Sequence, residues 1–137
     1  MHFVYIIYSV KSDKYYIGET SCMEDRLLQH NAGFFKNAYT KISSDWELKV
    51  TFEVNNCSSA RTVERYLKSK KSRIYLEKLI TDEVFRIKFQ KNVFEKFDIE
   101  IKYWKSLCRR PEKSMIYRDD PAPHHKRLLK AVFFLIN

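Results

Sequence analysis

Nine residues, WELKVTFEV at 46–54, restrict the fold more than any other stretch of this chain. Trp46, Leu48, Val50, Phe52 and Val54 alternate with Glu47, Lys49, Thr51 and Glu53. A period of two marks a β-strand, and the expectation is that the five apolar residues face one way. Such a strand needs neighbours, and the chain supplies them upstream. FVYIIYS (3–9) and YYIGET (15–20) are rich in β-branched and aromatic residues, and the polar VKSDK between them is turn-like, so the two form a hairpin.

Helical spacing follows. Ser21 and Glu24 form a Ser-x-x-Glu capping box, which predicts a helix from about Cys22, and Gly33 ends it in a left-handed conformation. Residues 34–45 are loop-like. NNCSS (55–59) offers helix caps before Ala60, Val63 and Leu67, which recur on one helix face. A further helix is expected over 73–80. Phe85, Phe89, Val93 and Phe97 then recur every four residues and predict an amphipathic helix over 82–97. FDIEIKYW alternates without settling its type. All three prolines fall in the connector 109–123, and HHKRLLKAVFFLI fits a terminal helix. The fold class is therefore α/β (α+β): a small three-stranded, mainly antiparallel sheet flanked by helices, with a C-terminal extension.

With 137 residues, 45% of them hydrophobic, the chain can bury a core as one small domain with an appendage. No apolar run reaches the roughly 18–20 residues of a membrane span, and the N-terminus opens directly into a strand, so a soluble, cytoplasmic protein with no membrane partner is expected. Cys22, Cys57 and Cys108 are odd in number and scattered, which excludes a self-contained disulfide framework and argues against a thiolate zinc site. The formal charge of +9 is spread along the chain, not held in a tail. Such a chain suits a polyanion, nucleic acid before anionic membrane.

Five segments in order resemble the GIY-YIG nuclease domain, most closely the small stand-alone members related to the N-terminal nuclease domain of the excision-repair excinuclease. FVY (3–5) stands where the first tripeptide belongs, and YIG (16–18) matches the second. RLLQHN (26–31) is similar to the family's arginine-bearing helix. YTK (39–41) and DWEL (45–48) fall in its loop and strand, and ARTVERYLKSKKSRIYLEKLI (60–80) in the helix carrying its acidic residue. The chain departs from that pattern at Phe3, where the family has glycine, and at Glu19, where excision-repair relatives carry lysine. The latter exchange removes a positive charge beside the phosphate site. The likeness assigns residues 1–97 to the nuclease domain and leaves 98–137 as an extension of unknown role, a candidate for self-association or a protein partner.

The resemblance implies a catalytic set of Tyr5, Tyr16, Arg26, His30 and Glu64, with Gly18 as the glycine of the motif. Tyr5 and Tyr16 would contact the attacking water and the phosphate, Tyr5 relaying the proton. Arg26 would grip a non-bridging oxygen, and His30, four residues on and so on the same helix face, would be a proton-transfer partner in the tyrosine site. Glu64 lies within the stripe Ala60–Val63–Leu67, where an inward charge is expensive unless paired. The family places its single metal-binding carboxylate there, which suits Mg²⁺, or Mn²⁺ in its place. An ion pair with Arg61 or Lys68 is the simpler alternative. Arg61, Arg65, Lys68, Lys70, Lys71 and Arg73 supply six positive charges for backbone phosphates, while Tyr66 and Tyr75 suit base stacking and core packing equally. His2, His124 and His125 look incidental.

The function expected is metal-dependent hydrolysis of DNA phosphodiesters by an endonuclease selective for structure or damage, as in repair and recombination. No sequence-reading module is present to direct site-specific cutting. The rivals are a nucleic-acid-binding protein that cuts poorly or not at all, and a nuclease acting on RNA.

Overall fold

The computed structural model of the chain describes residues 1–34 and 39–104. β1 (His2–Ser9) and β2 (Lys14–Thr20) form the expected hairpin. α1 (Met23–Asn31) follows, then a short 3-10 turn at Tyr39–Ile42 and β3 (Trp46–Val54). α2 (Cys57–Ser69), α3 (Arg73–Thr81) and α4 (Glu83–Phe97) come next, and β4 (Lys102–Trp104) ends the described chain. The strands lie in the order β2-β1-β3-β4, all antiparallel. The mixed α/β class therefore holds, and the sheet gains a fourth strand from the alternating FDIEIKYW segment. The connector 109–123, the terminal helix, Cys108, His124 and His125 lie outside the described residues.

Two local expectations change. The capping box does not form, because α1 is capped at Cys22 with no side-chain hydrogen bond. Thr20 Oγ1 instead accepts from Cys22 N and donates to Cys22 O, both at 3.1 Å, so the hydroxyl just upstream of Ser21 shapes the helix entry. At the other end Gly33, at φ +68°, turns the chain as expected, and Phe34 N closes onto Gln29 O.

The larger change lies in β3. Its apolar residues do not all face one way, because the register against β1 shifts between Ile6, which pairs with Val50, and Ile7, which pairs with Leu48. Lys49 is the extra residue of a β-bulge, and one extra residue exchanges the two faces. Val50, Phe52 and Val54 therefore join Val4 and Ile6 in the larger core, covered by α2, α3 and α4. Trp46 and Leu48 point through the opposite face and pack with Tyr5, Ile7, Met23 and Leu27 beneath α1. The stripe on α4 is as expected, with Phe89 and Val93 in the larger core and Phe85 and Phe97 packed against it. Arg86 beside them is also buried. One guanidinium nitrogen donates to both Leu79 O and Ile80 O at 2.8 Å, and its plane lies over Tyr103 at 4.3 Å. That single side chain ties the end of α3, the start of α4 and β4 together.

Candidate active site

The smaller face of the sheet brings four of the proposed catalytic residues together. Tyr5 sits in the middle of β1, opposite Gly18, and is 1% exposed. Its hydroxyl lies 2.7 Å from His30 Nε2, and His30 Nδ1 lies 2.8 Å from Thr40 Oγ1. Thr40 in turn is fixed through its carbonyl, which accepts from Trp46 Nε1 at 2.8 Å. Asn31 brackets the same tryptophan, with its side-chain oxygen accepting from Trp46 N and its amide nitrogen donating to Trp46 O. The bulge thus has a direct consequence. By turning Trp46 toward α1 it holds the loop that orients His30.

Tyr16 stands two residue pairs away on β2, on the same face, and is half-buried. Its ring meets Tyr5 at 6.3 Å and the edge of His30 at 5.1 Å, and it stacks on Tyr39 at 6.5 Å. Gly18 is required by space, not by a special backbone angle. A Cβ there would come within 2.6 Å of Tyr5 Cζ, overlapping the hydroxyl, and within 3.0 Å of the Tyr16 ring. The only side chain that leaves both tyrosines in place is a hydrogen atom.

Electrostatics ties Arg26 and Glu64 to the same point. Burial raises the Tyr5 hydroxyl well above the usual phenol range; Tyr16, Glu64 and Glu19 push the same way, and the Arg26 guanidinium opposes them. Burial, helped by Arg26, pushes His30 down to about 4. At neutral pH the imidazole is therefore uncharged, with a proton on only one nitrogen. Such a ring between two hydroxyls donates at one end and accepts at the other, so it can pass a proton along the line Tyr5–His30–Thr40.

Glu64 emerges from α2 at the β2 edge with its side chain 17% exposed, and Lys68 Nζ holds its Oε1 at 2.5 Å. The ion pair foreseen as the simpler alternative is thus present. Lys68 is about half exposed and also lies 5.9 Å from the Tyr16 ring, so its ammonium can turn to solvent or to an anion at small cost. A half-buried carboxylate whose charge reaches Tyr5 is a hard oxygen donor of the kind a divalent cation takes.

The six basic residues do not share one helix. α2 stops at Ser69, and Lys71 takes a left-handed φ of +46° before Arg73 opens α3. Arg73 is committed to the hairpin turn, where it meets Asp13 at 2.5 Å, and to Glu77 at 3.0 Å. Lys70 lies over the Tyr66 ring at 4.2 Å, and Arg61 approaches Glu19 at 3.8 Å. Arg65 and Lys71 are exposed with no carboxylate partner among the described residues. Tyr66 and Tyr75 belong to the core. Tyr66 stacks on Phe89 at 5.9 Å, and Tyr75 meets Phe85 edge-on at 4.9 Å, which leaves neither ring to a base. Thr40, the third member of the hydrogen-bonded line, is the residue sequence reasoning missed. Its position inside the YTK segment was the available signal.

Among the described residues no helix is long and apolar enough to cross a membrane. The family model of the GIY-YIG catalytic domain matches residues 1–79. No curated protein and no solved structure gives a significant match.

Proposed function

Because the chain belongs to the GIY-YIG nuclease family, we propose that it is a divalent-metal-dependent endonuclease that hydrolyses DNA phosphodiesters, selecting its substrates by structure or damage. The observation that carries this reading is the hydrogen-bonded line Tyr5–His30–Thr40, with the charges of Arg26 and Glu64 both reaching the Tyr5 hydroxyl. Phosphodiester hydrolysis needs a positioned water, an acceptor for its proton, and positive charge where the phosphorane develops. Tyr5 takes the proton of the attacking water at its oxygen as its own proton passes to His30 Nε2, and the transient imidazolium gives a proton up to solvent before the next turnover. The new O–P bond forms as the bond to the leaving oxygen breaks, and that oxygen picks up a proton from solvent. Arg26 grips a non-bridging oxygen with its forked guanidinium. Tyr16, open on one side, orients the phosphate. Glu64 would hold Mg²⁺ or Mn²⁺, which when bound supplies Lewis-acid stabilisation of the developing phosphorane charge.

The Lys68–Glu64 ion pair favours a second reading, a nucleic-acid-binding protein that cuts poorly, because Lys68 competes with the cation for the same carboxylate. A panel of duplex, single-stranded, flapped, nicked and abasic DNA, plus RNA, assayed with and without Mg²⁺, separates the two. Turnover on branched or damaged DNA that needs Mg²⁺ is expected. Glu64→Gln should abolish it while leaving the circular dichroism spectrum unchanged. Tight binding without turnover at saturating Mg²⁺ selects the second reading, and cleavage confined to RNA moves the substrate.

A further inference from the structure

Outside the tyrosine site, one cluster combines ligand chemistry with an unmet polar group. His2 at the start of β1, Glu19 near the end of β2 and Cys57 at the first residue of α2 place a ring nitrogen, a carboxylate oxygen and a thiol within 4.8 Å of one another. All three side chains are half-buried. Sequence reasoning treated the histidine as incidental and the cysteine as a scattered thiol, because 55 positions separate the outer two and only the fold brings them together.

We propose that His2, Glu19 and Cys57 form a second cation site, distinct from the Glu64 carboxylate, for a thiophilic divalent ion of the zinc class. The donor set is the first argument. Nitrogen, oxygen and sulfur in one three-residue group suit Zn²⁺ or Co²⁺ and do not suit Mg²⁺, which takes oxygen. Geometry is the second. His2 Nε2 and Glu19 Oε2 are 3.5 Å apart. Metal bonds of about 2.0–2.1 Å at a tetrahedral angle set that separation at about 3.4 Å, so one edge of the tetrahedron is already formed. Closing the sulfur onto it takes about 1 Å of side-chain movement from the outer limit of the cluster, given a sulfur–metal bond of about 2.3 Å.

The third argument is the state of Glu19. Its Oε2 is buried from solvent and makes no hydrogen bond within the described chain, an arrangement that costs free energy unless a partner arrives. His2 beside it is a cation only when protonated. Arg61 approaches the other oxygen, Oε1, at 3.8 Å from a largely exposed position and leaves Oε2 to the ion. Ion binding releases the Cys57 thiol proton to solvent and leaves a fourth position for water. A bound ion would fasten the first strand, the edge strand and the start of α2, seven residues before Glu64.

Co²⁺ is the probe, added to the reduced full-length chain in excess Mg²⁺ so that the oxygen-only carboxylate is already served. One Co²⁺ per chain should bind with a near-ultraviolet sulfur-to-metal charge-transfer band, and Zn²⁺ should abolish the band by displacement. Cys57→Ser should remove the band, whereas Cys22→Ser and Glu64→Gln should keep it. Glu19→Gln and His2→Gln should each weaken Co²⁺ binding at least tenfold while circular dichroism reports an unchanged fold. The proposal is overturned by any of three results: no band in the parent chain, a band that survives Cys57→Ser, or unaltered affinity in either the Glu19 or the His2 variant. None of these bears on cleavage at Glu64, which the nuclease panel tests separately.

Discussion

Tyr5 and His30 carry the proposed chemistry at the scale of single residues, and each makes a measurable claim. Tyr5→Phe keeps the ring in its buried slot and removes only the hydroxyl. It should lower turnover by roughly 10²–10⁴-fold, the range for a lost proton-transfer group, with substrate affinity changed far less. Single-turnover cleavage and equilibrium binding on the same substrate check both halves. His30 is held near pKa 4 in the fold against an ordinary value of 6.5. Its folded pKa is the lower one, so the unfolded chain takes up the proton first as pH falls. The stability it contributes is complete above about pH 6.5 and is lost on the way down to pH 4, by roughly 2–3 kcal/mol. Urea unfolding at pH 7.5 and pH 4.5 should show that loss, and the gap should narrow in His30→Gln. Equal gaps in the two proteins would mean that the imbalance sits elsewhere.

The elements explain why some of this was legible in the sequence and some was not. The hairpin was legible because aromatic and β-branched runs flank a polar turn. α2 was legible because Asn56 does cap it, accepting from Ser59 N at 2.8 Å. The capping box at Ser21 was not, because the Thr20 hydroxyl, one residue upstream, bonds Cys22 N and O instead. The face of Trp46 was hidden for a different reason. A bulge leaves the alternation in the sequence intact and changes only the pairing, which depends on β1. Tyr5, Tyr16 and Arg26 are proposed from likeness to a family, while Thr40 and the Cys57 cluster needed the fold. Gly18 gives this scale its prediction. Gly18→Ala adds a methyl group that must displace the Tyr5 ring, so it should cost about 1–3 kcal/mol, as overpacking does, and reduce turnover at least tenfold. Thermal unfolding alongside cleavage rate tests it; a variant of normal stability and activity would show that the tyrosine face yields freely.

Across the whole molecule the excess of 26 basic over 17 acidic residues draws the chain to a polyanion, and internal ion pairs decide which charges remain to meet it. Arg73, Lys68 and Arg61 are engaged within the protein, which singles out Arg65 and Lys71. Replacing both with Gln should flatten the slope of log affinity against log salt by about 1.8 on duplex DNA, since each lost phosphate contact is worth ~0.9. The loss should be equal on unrelated sequences. Isotherms at several salt concentrations, taken with Glu64→Gln protein so that the DNA stays whole, read that slope. A slope identical to the parent's would move the binding track off this turn. The single inserted residue at Lys49 has a last consequence for the molecule as a whole. It works like a frameshift written in three dimensions, since upstream of it the strand is read by one layer of the protein and downstream by the other. Substitutions along β3 are therefore local events, whereas losing or gaining one residue there would rewrite both layers at once, and the chain can drift in letters far more easily than in length.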